Sequence, residues 1–306
     1  MTLSSVRVNV FPGGFNWPLF VGIEKDCFAC ENLAIELQAT SGSVAQMTGL
    51  AAGQFEIAMT AFDNVVAYIE GQGEAPIGPQ PQFFAFMGSD DSFLSLVAKP
   101  DILEVRDLRG RKISVDAATT GYAFALFDLL EQSGLARGDY TIVKVGGMAQ
   151  RFADLRDGET AATLLSTPYD LLAEKTGLRV VQYLRRPYQG NVAAARRDWA
   201  ECNVAVVTGF IRSYIAALCW LFDPANIPEA CVILERNVSG MTPDLARASY
   251  KRMFARDSGF FRDGRLDAEG MRKVLELRTR YAGQRRVLDD PGKYFEARYS
   301  EQALSP

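Results

Sequence analysis

Strand-like and helix-like segments alternate over residues 6–70 of this 306-residue chain, and the same order begins again about 105 residues later. In the first copy the apolar spacing predicts strands at 6–10, 33–38 and 56–59 and helices at 16–25, 44–52 and 64–70. In the second it predicts strands at 112–115, 140–145 and 161–165 and helices at 122–132, 149–156 and 169–176. Strands separated by helices of this length form parallel βαβ units whose helices cover the sheet. Ala45-Gln46 with Gly53 in the first copy answers Ala149-Gln150 with Gly158 in the second. Each glycine stands where a helix must end before a short strand, a place that favours left-handed backbone. Two such halves imply an α/β chain of two lobes with a cleft between them.

The linking segments assign the rest. Between the copies lies a stretch rich in Gly and Pro, then two apolar runs at 83–87 and 93–98. The first run can complete the first sheet, and the second reads as a strand crossing to the other lobe. After a further run at 178–184, Arg185-Arg186-Pro187-Tyr188 leads into a mainly helical remainder with too few strands for a third sheet. The expected division is therefore lobe I from 1–92 plus 186–306, with the helical tail packed on it, and lobe II from 93–185.

Composition removes several chemistries. The chain has no histidine, which excludes Ser-His-Asp and Cys-His catalysis and histidine-bound metals. Net charge is −4 without a basic stripe, so no nucleic-acid footprint is present. The most apolar stretch, 204–222, is interrupted by Arg212 and reads as a buried helix, not a membrane span. Cys27-Phe28-Ala29-Cys30 has no second such pair, which argues against a zinc site. Five cysteines form no evident disulfide framework and suit a reducing compartment. No leader is visible at the start. The chain is expected in the periplasm if an export signal has been removed, and in the cytoplasm otherwise.

In open α/β sheets ligands bind beyond the carboxyl ends of the strands, where loops enter helices. Those loops carry Asn16 and Trp17, Ser41 and Ser43, Phe62 and Asp63, Thr119, Thr120 and Tyr122, and Thr167 and Tyr169. Hydroxyls at helix starts can receive an anion. Ser43, Thr120 and Thr167 equally suit plain N-caps. Aromatic rings at these positions, with Phe15 and Tyr188, either flank a planar ligand or fill the core. Trp17 and Tyr122 are the expected walls. Arg185-Arg186 at the second crossing offers either a clamp for an acid or a solvated pair. Asp63 is the best-placed carboxylate for a base, or a cap.

Residues 14–65, which carry Gly53 and Ile57-Ala58, resemble the amino-terminal lobe of the sulfonate/nitrate/taurine/thiamine-precursor-type substrate-binding proteins of ABC transporters. Residues 107–116 resemble that family's entry to the second lobe, and 198–234 its carboxy-terminal helices. Glu56 stands where the family often has Asp, and the turn at 27–32 lacks its usual Gly-Leu. The resemblance implies a periplasmic-binding-protein-like fold of type II. It implies capture of a small anionic or planar aromatic or heteroaromatic molecule, an ABC permease as partner, and a monomer. Some relatives of that fold are enzymes, so a cytoplasmic lyase or decarboxylase acting on an aromatic acid, or a cytoplasmic sensor, stays open. No cofactor fingerprint follows a strand, and binding without turnover is expected.

Overall fold

The computed structural model of the chain describes residues 3–184, 187–255, 259–283 and 286–305. The first copy runs β1 (Ser4–Val10), α1 (Trp17–Glu24), the single-turn α2 (Cys27–Cys30), β2 (Leu33–Ala39), α3 (Ser43–Ala51), β3 (Ile57–Ala61) and α4 (Phe62–Ile69). After β4 (Phe83–Gly88) the chain crosses into β5 (Leu94–Ala98). The second copy follows as β6 (Lys112–Val115), α5 (Gly121–Gln132), β7 (Thr141–Lys144), α6 (Met148–Arg156), β8 (Ala162–Ser166) and α7 (Tyr169–Lys175). Next come β9 (Arg179–Tyr183) and β10 (Asn191–Arg196). The tail is α8 (Arg197–Cys202), α9 (Val204–Leu221), α10 (Ile227–Asn237), α11 (Pro243–Met253), α12 (Ala268–Tyr281) and α13 (Arg298–Leu304).

These strands form two five-stranded sheets, ordered β2-β1-β3-β10-β4 and β7-β6-β8-β5-β9. Each has a parallel trio and one antiparallel strand in fourth place, β10 in the first sheet and β5 in the second. Each of those two strands enters its sheet by a crossing from the other, so the sheets are joined twice, between residues 88 and 94 and between 183 and 191.

The repeat is closer than the sequence alone suggests. Val8 pairs with Leu37 and Ile57, and Ile113 pairs with Ile142 and Ala162. Every residue of the second set lies 105 positions after its counterpart (113 less 8, 142 less 37, 162 less 57). Gly53 and Gly158, 105 apart, follow α3 and α6 in left-handed backbone, with φ of 68° and 89°. The same offset corrects one expected pairing. Gln46 matches Arg151, not Gln150, which is exposed. Gln46 Nε2 donates to the Met59 carbonyl at 3.1 Å, and Arg151 Nη1 donates to the Leu164 carbonyl at 2.6 Å. Here donor and acceptor both obey the offset.

The outer face of the first sheet, with Val6, Val8 and Val10, is buried against Trp17, Phe210, Tyr214 and Leu234. Helices α9, α10 and α13 build this layer on α1 and α2. Helix α9 is long and apolar enough to cross a membrane by composition, yet 56% of it is buried within the protein. Its Arg212 forms a two-bond pair with Glu31. Two tail helices go further than the first sheet, α11 to touch α7 and α12 to bridge the two copies. Helix α12 lies between α4 and α5 and packs on both. The apolar core that holds Phe62 and Val65 therefore continues through Leu275 and Leu277 to Phe124 and Ile113.

Candidate ligand-binding site

The strand ends of the two sheets meet. A Cβ added to Gly14, just beyond β1, would lie 3.5 Å from the Pro168 ring beyond β8. A Cβ added to Gly121 would lie 2.5 Å from Asp63 Cβ and Cγ, so α5 begins with glycine because α4 approaches it this closely. Asp63 is buried and takes two hydrogen bonds from Arg278 of α12, from Nε at 2.7 Å and Nη2 at 2.5 Å. Arg278 also donates to the Thr119 carbonyl and to Gln72 Oε1, at 3.2 and 3.0 Å, and its guanidinium lies 5.1 Å from the Phe124 ring. A buried charge needs such saturation of its hydrogen bonds.

The two crossings are tied to one another beside this pair. Asp90, buried on the first crossing, accepts from the backbone N–H of Ser92 and Asn191, from the Asn191 amide and from the Ser89 hydroxyl. Burial pushes its carboxyl up to about 6, against the donors that lower it. Tyr122 donates to Ser92 Oγ at 3.1 Å, and its ring lies 6.3 Å from that of Tyr188 on the second crossing. Burial raises both phenols. The Tyr188 hydroxyl is buried with no hydrogen-bond partner among the described residues, as are Asn9 Oδ1 and Gln46 Oε1 at the end of the first sheet.

The expected site residues divide into three groups. Asp63, Thr119, Thr120 and Tyr122 come together at the junction of the halves. Thr120 is the N-cap of α5, accepting from Ala123 N while its hydroxyl donates to Asp116 Oδ1 at 2.8 Å. Thr119 is exposed and donates to Glu74 Oε1 across the junction. Asp63 is neither a cap nor free to act as a base, because Arg278 occupies both its oxygens.

A second group is local support. Asn16 Nδ2 donates to the Phe11 carbonyl at 2.7 Å and shapes the turn after β1. Thr167 is buried against Asp170 at 3.3 Å and is not a cap, since Pro168 holds that place. Tyr169 packs on Phe152. Ser43 is the first residue of α3 without a capping bond, and neither it nor the exposed Ser41 hydrogen-bonds to the second half among the described residues.

The third group corrects the expectation of aromatic walls. Trp17 is wholly buried in the first core, donating to the Ala230 carbonyl at 3.0 Å with Tyr250 and Phe254 edge-on to it. Phe62 is equally buried, edge-on to Tyr294. Tail helices cover both rings, so neither can flank a ligand. Arg185 and Arg186 lie outside the described residues. Cys27 begins α2, and burial raises its thiol, the opposite of activation.

Sequence reasoning passed over Asp116, Arg151 and Arg278. Two grooves of about 680 and 640 Å³ flank α12. They share Pro187 and Lys273, the latter already paired with Asp128 at 3.1 Å, and the smaller also reaches Tyr183 at the end of β9 and Tyr188 on the second crossing. The strand ends are favoured as the site because the unused buried polar groups are there.

A model of the NMT1-like family matches residues 13–169, just over half of the chain. The chain belongs to the NMT1-like family. The matched stretch runs from the turn after β1 to the start of α7, and so includes most of both copies. Solved structures agree on the fold. The ligand-binding component of an ABC-type import system from Staphylococcus aureus, determined with zinc bound, superposes with a TM-score of 0.79 at 12% identity, covering 98% of this chain and 99% of that one. The periplasmic nitrate-binding protein of Synechocystis gives 0.75 at 13%, covering 99% and 89%. The periplasmic aliphatic sulphonate-binding protein of Escherichia coli gives 0.74 at 14%, covering 95% and 92%. The family member is thus a two-lobed α/β protein of the periplasmic-binding-protein fold. A comparison with curated proteins finds no match.

Proposed function

We propose that this NMT1-like protein is a solute-binding protein of an ABC-type importer, holding a small anionic molecule between its lobes and passing it to a permease. The observation that carries the reading is the meeting of two strand-end surfaces, joined by two crossings, with Tyr122, Asp116 and Tyr188 gathered between them. The proposed lobes are 1–92 with 186–306, and 93–185. Thr119, Thr120 and Tyr122 are the proposed ligand-facing members of the expected set, and the periplasm is the proposed place of action, as the names of the nitrate- and sulphonate-binding neighbours state for those proteins.

A ligand that binds only the folded state stabilises it by mass action, by about 2.7 kcal/mol at a hundred times Kd. A thermal-shift screen of small organic and inorganic anions should therefore give a Tm that climbs with concentration. X-ray scattering with the best compound should show an unchanged or smaller radius of gyration, and mass spectrometry should recover the compound intact. A screen without a hit, or recovery of a converted product, would remove the reading.

A further inference from the structure

Arg151 sits in the first turns of α6, 3% exposed, and among the described residues no carboxylate lies within ion-pair distance of it. Its Nε donates to the Gly146 carbonyl at 3.1 Å, and its Nη1 donates to the Leu164 carbonyl at 2.6 Å and Thr163 Oγ1 at 3.4 Å. Its Nη2 makes no hydrogen bond among the described residues. Burying a cation with no carboxylate in direct contact is costly. A chain that needed only the stitch between helix and strand would use a neutral donor there, and the first copy does so. Gln46, 105 residues earlier, makes the equivalent bond to Met59 with an uncharged amide. The charge at position 151 is therefore surplus to the fold.

What surrounds that charge points to its use. Asp116 and Tyr122, beyond β6 and at the start of α5, both act on Arg151 electrostatically. They stand at the strand-end face where the two halves meet. Asp116 is half-buried, with one oxygen taken by Thr120.

We infer that Arg151 is the anion receptor of the interlobe site and that Asp116 on the same strand-end face restricts the ligand to a single negative charge. The inference rests on the solute-binding reading and deepens it. A small organic acid with one charge, such as a carboxylate or sulfonate, takes the free edge of the guanidinium. A second negative charge meets Asp116, so sulfate-like dianions are refused. Hydrogen bonds to charged groups are strong enough to change affinity about tenfold to a hundredfold.

The test uses the full chain with benzoate and methanesulfonate as monoanions, benzamide as the neutral counterpart and sulfate as the dianion, all at one ionic strength. The wild type should show a Tm that rises with either monoanion and not with benzamide or sulfate. Arg151→Gln, which copies the first half's solution, should match or exceed the wild-type Tm without ligand and lose the monoanion response by about tenfold or more in affinity. Arg151→Lys should keep part of it. Asp116→Asn, which leaves the acceptor for Thr120, should admit sulfate. Monoanion binding that survives in Arg151→Gln would overturn the inference while leaving the solute-binding reading intact. Failure of both monoanions to shift the wild type would overturn it too, and a hit elsewhere in the wider screen would then preserve the broader reading. If Arg151→Gln does not fold, the charge is structural and the inference falls, whatever Arg151→Lys does.

Discussion

The two copies share a skeleton in register and differ in what they do with its open end. In the first copy the end is closed from within. Trp17 is sealed by Tyr250 and Phe254, and Gln46 spends its donors on the Asn9 and Met59 carbonyls. In the second copy, 105 residues on, Tyr122 replaces Trp17 and reaches the crossing at Ser92, while Arg151 replaces Gln46 and has no carboxylate in contact among the described residues. The physical source of the difference is the tail. Helices α9 and α10 cover α1, so its large apolar ring is buried, whereas α5 is covered by α12, which also packs on α4. On the proposed reading, a repeated unit has thus been divided into a packed half and a recognising half.

That contrast requires a firm join between the halves, and the strongest test is to break it. Asp63 and Arg278 are 3% and 1% exposed by side chain, and removing one partner strands the other's charge. Asp63→Asn or Arg278→Met should cost about 3–5 kcal/mol in denaturant unfolding, and the double change Asp63→Leu with Arg278→Met should recover much of it. A loss under about 1 kcal/mol for either single change would mean that the pair does not hold the halves together.

A second test reads the crossings through pH. The folded carboxyl of Asp90 titrates at about 6, above the ordinary aspartate value of 3.8. A raised value means that the folded state holds the proton more tightly. The stabilisation is therefore complete below about pH 4 and is lost as pH rises through 6, on the order of 3 kcal/mol in total. Asp170, raised by burial in the second half, adds a slope of the same sign. Unfolding free energies between pH 4 and 7.5 should fall with pH, and Asp90→Asn should flatten most of that fall. An equal slope in the variant would place the titration elsewhere.

The parallel trios were legible in the sequence because their apolar residues alternate and Gly53 and Gly158 punctuate them. Strand β10 was not. Asn-Val-Ala-Ala-Ala-Arg carries little strand preference, and alanine favours helix. Only its place between β3 and β4, with all four central residues buried, decides its conformation. The site shows the same limit. Thr120 and Tyr122 follow from a helix that starts after a strand, a purely local signal. Trp17 and Phe62 satisfy that local rule too, but whether a first-turn side chain turns to the cleft or the core depends on a tail some two hundred residues away. Arg151 was obscured for another reason. In Met-Ala-Gln-Arg-Phe-Ala-Asp-Leu-Arg one arginine reads as solvated, and a repeat aligned one residue out of step matched Gln46 to its neighbour.

The smallest expected effect separates the two aromatic counterparts most cleanly. Trp17→Phe removes the N–H that serves the Ala230 carbonyl and leaves a gap between Tyr250 and Phe254, so stability should fall by about 1–3 kcal/mol. Because that ring is sealed in the first core, the response to benzoate should not move. Tyr122→Phe removes only a hydroxyl bonded to Ser92 Oγ, so stability should fall by about 0.5–1.5 kcal/mol. Its ring keeps its contact with Tyr188, yet the lost hydroxyl lies within the electrostatic reach of Arg151 and Asp116, so benzoate affinity should drop several-fold at unchanged fold. Chemical denaturation and benzoate titration on the same two variants read both quantities. The contrast requires stability to respond more at 17 and binding to respond only at 122. If binding responds at 17 instead, the first copy's end is open in solution, and Trp17 returns as a wall of the ligand site.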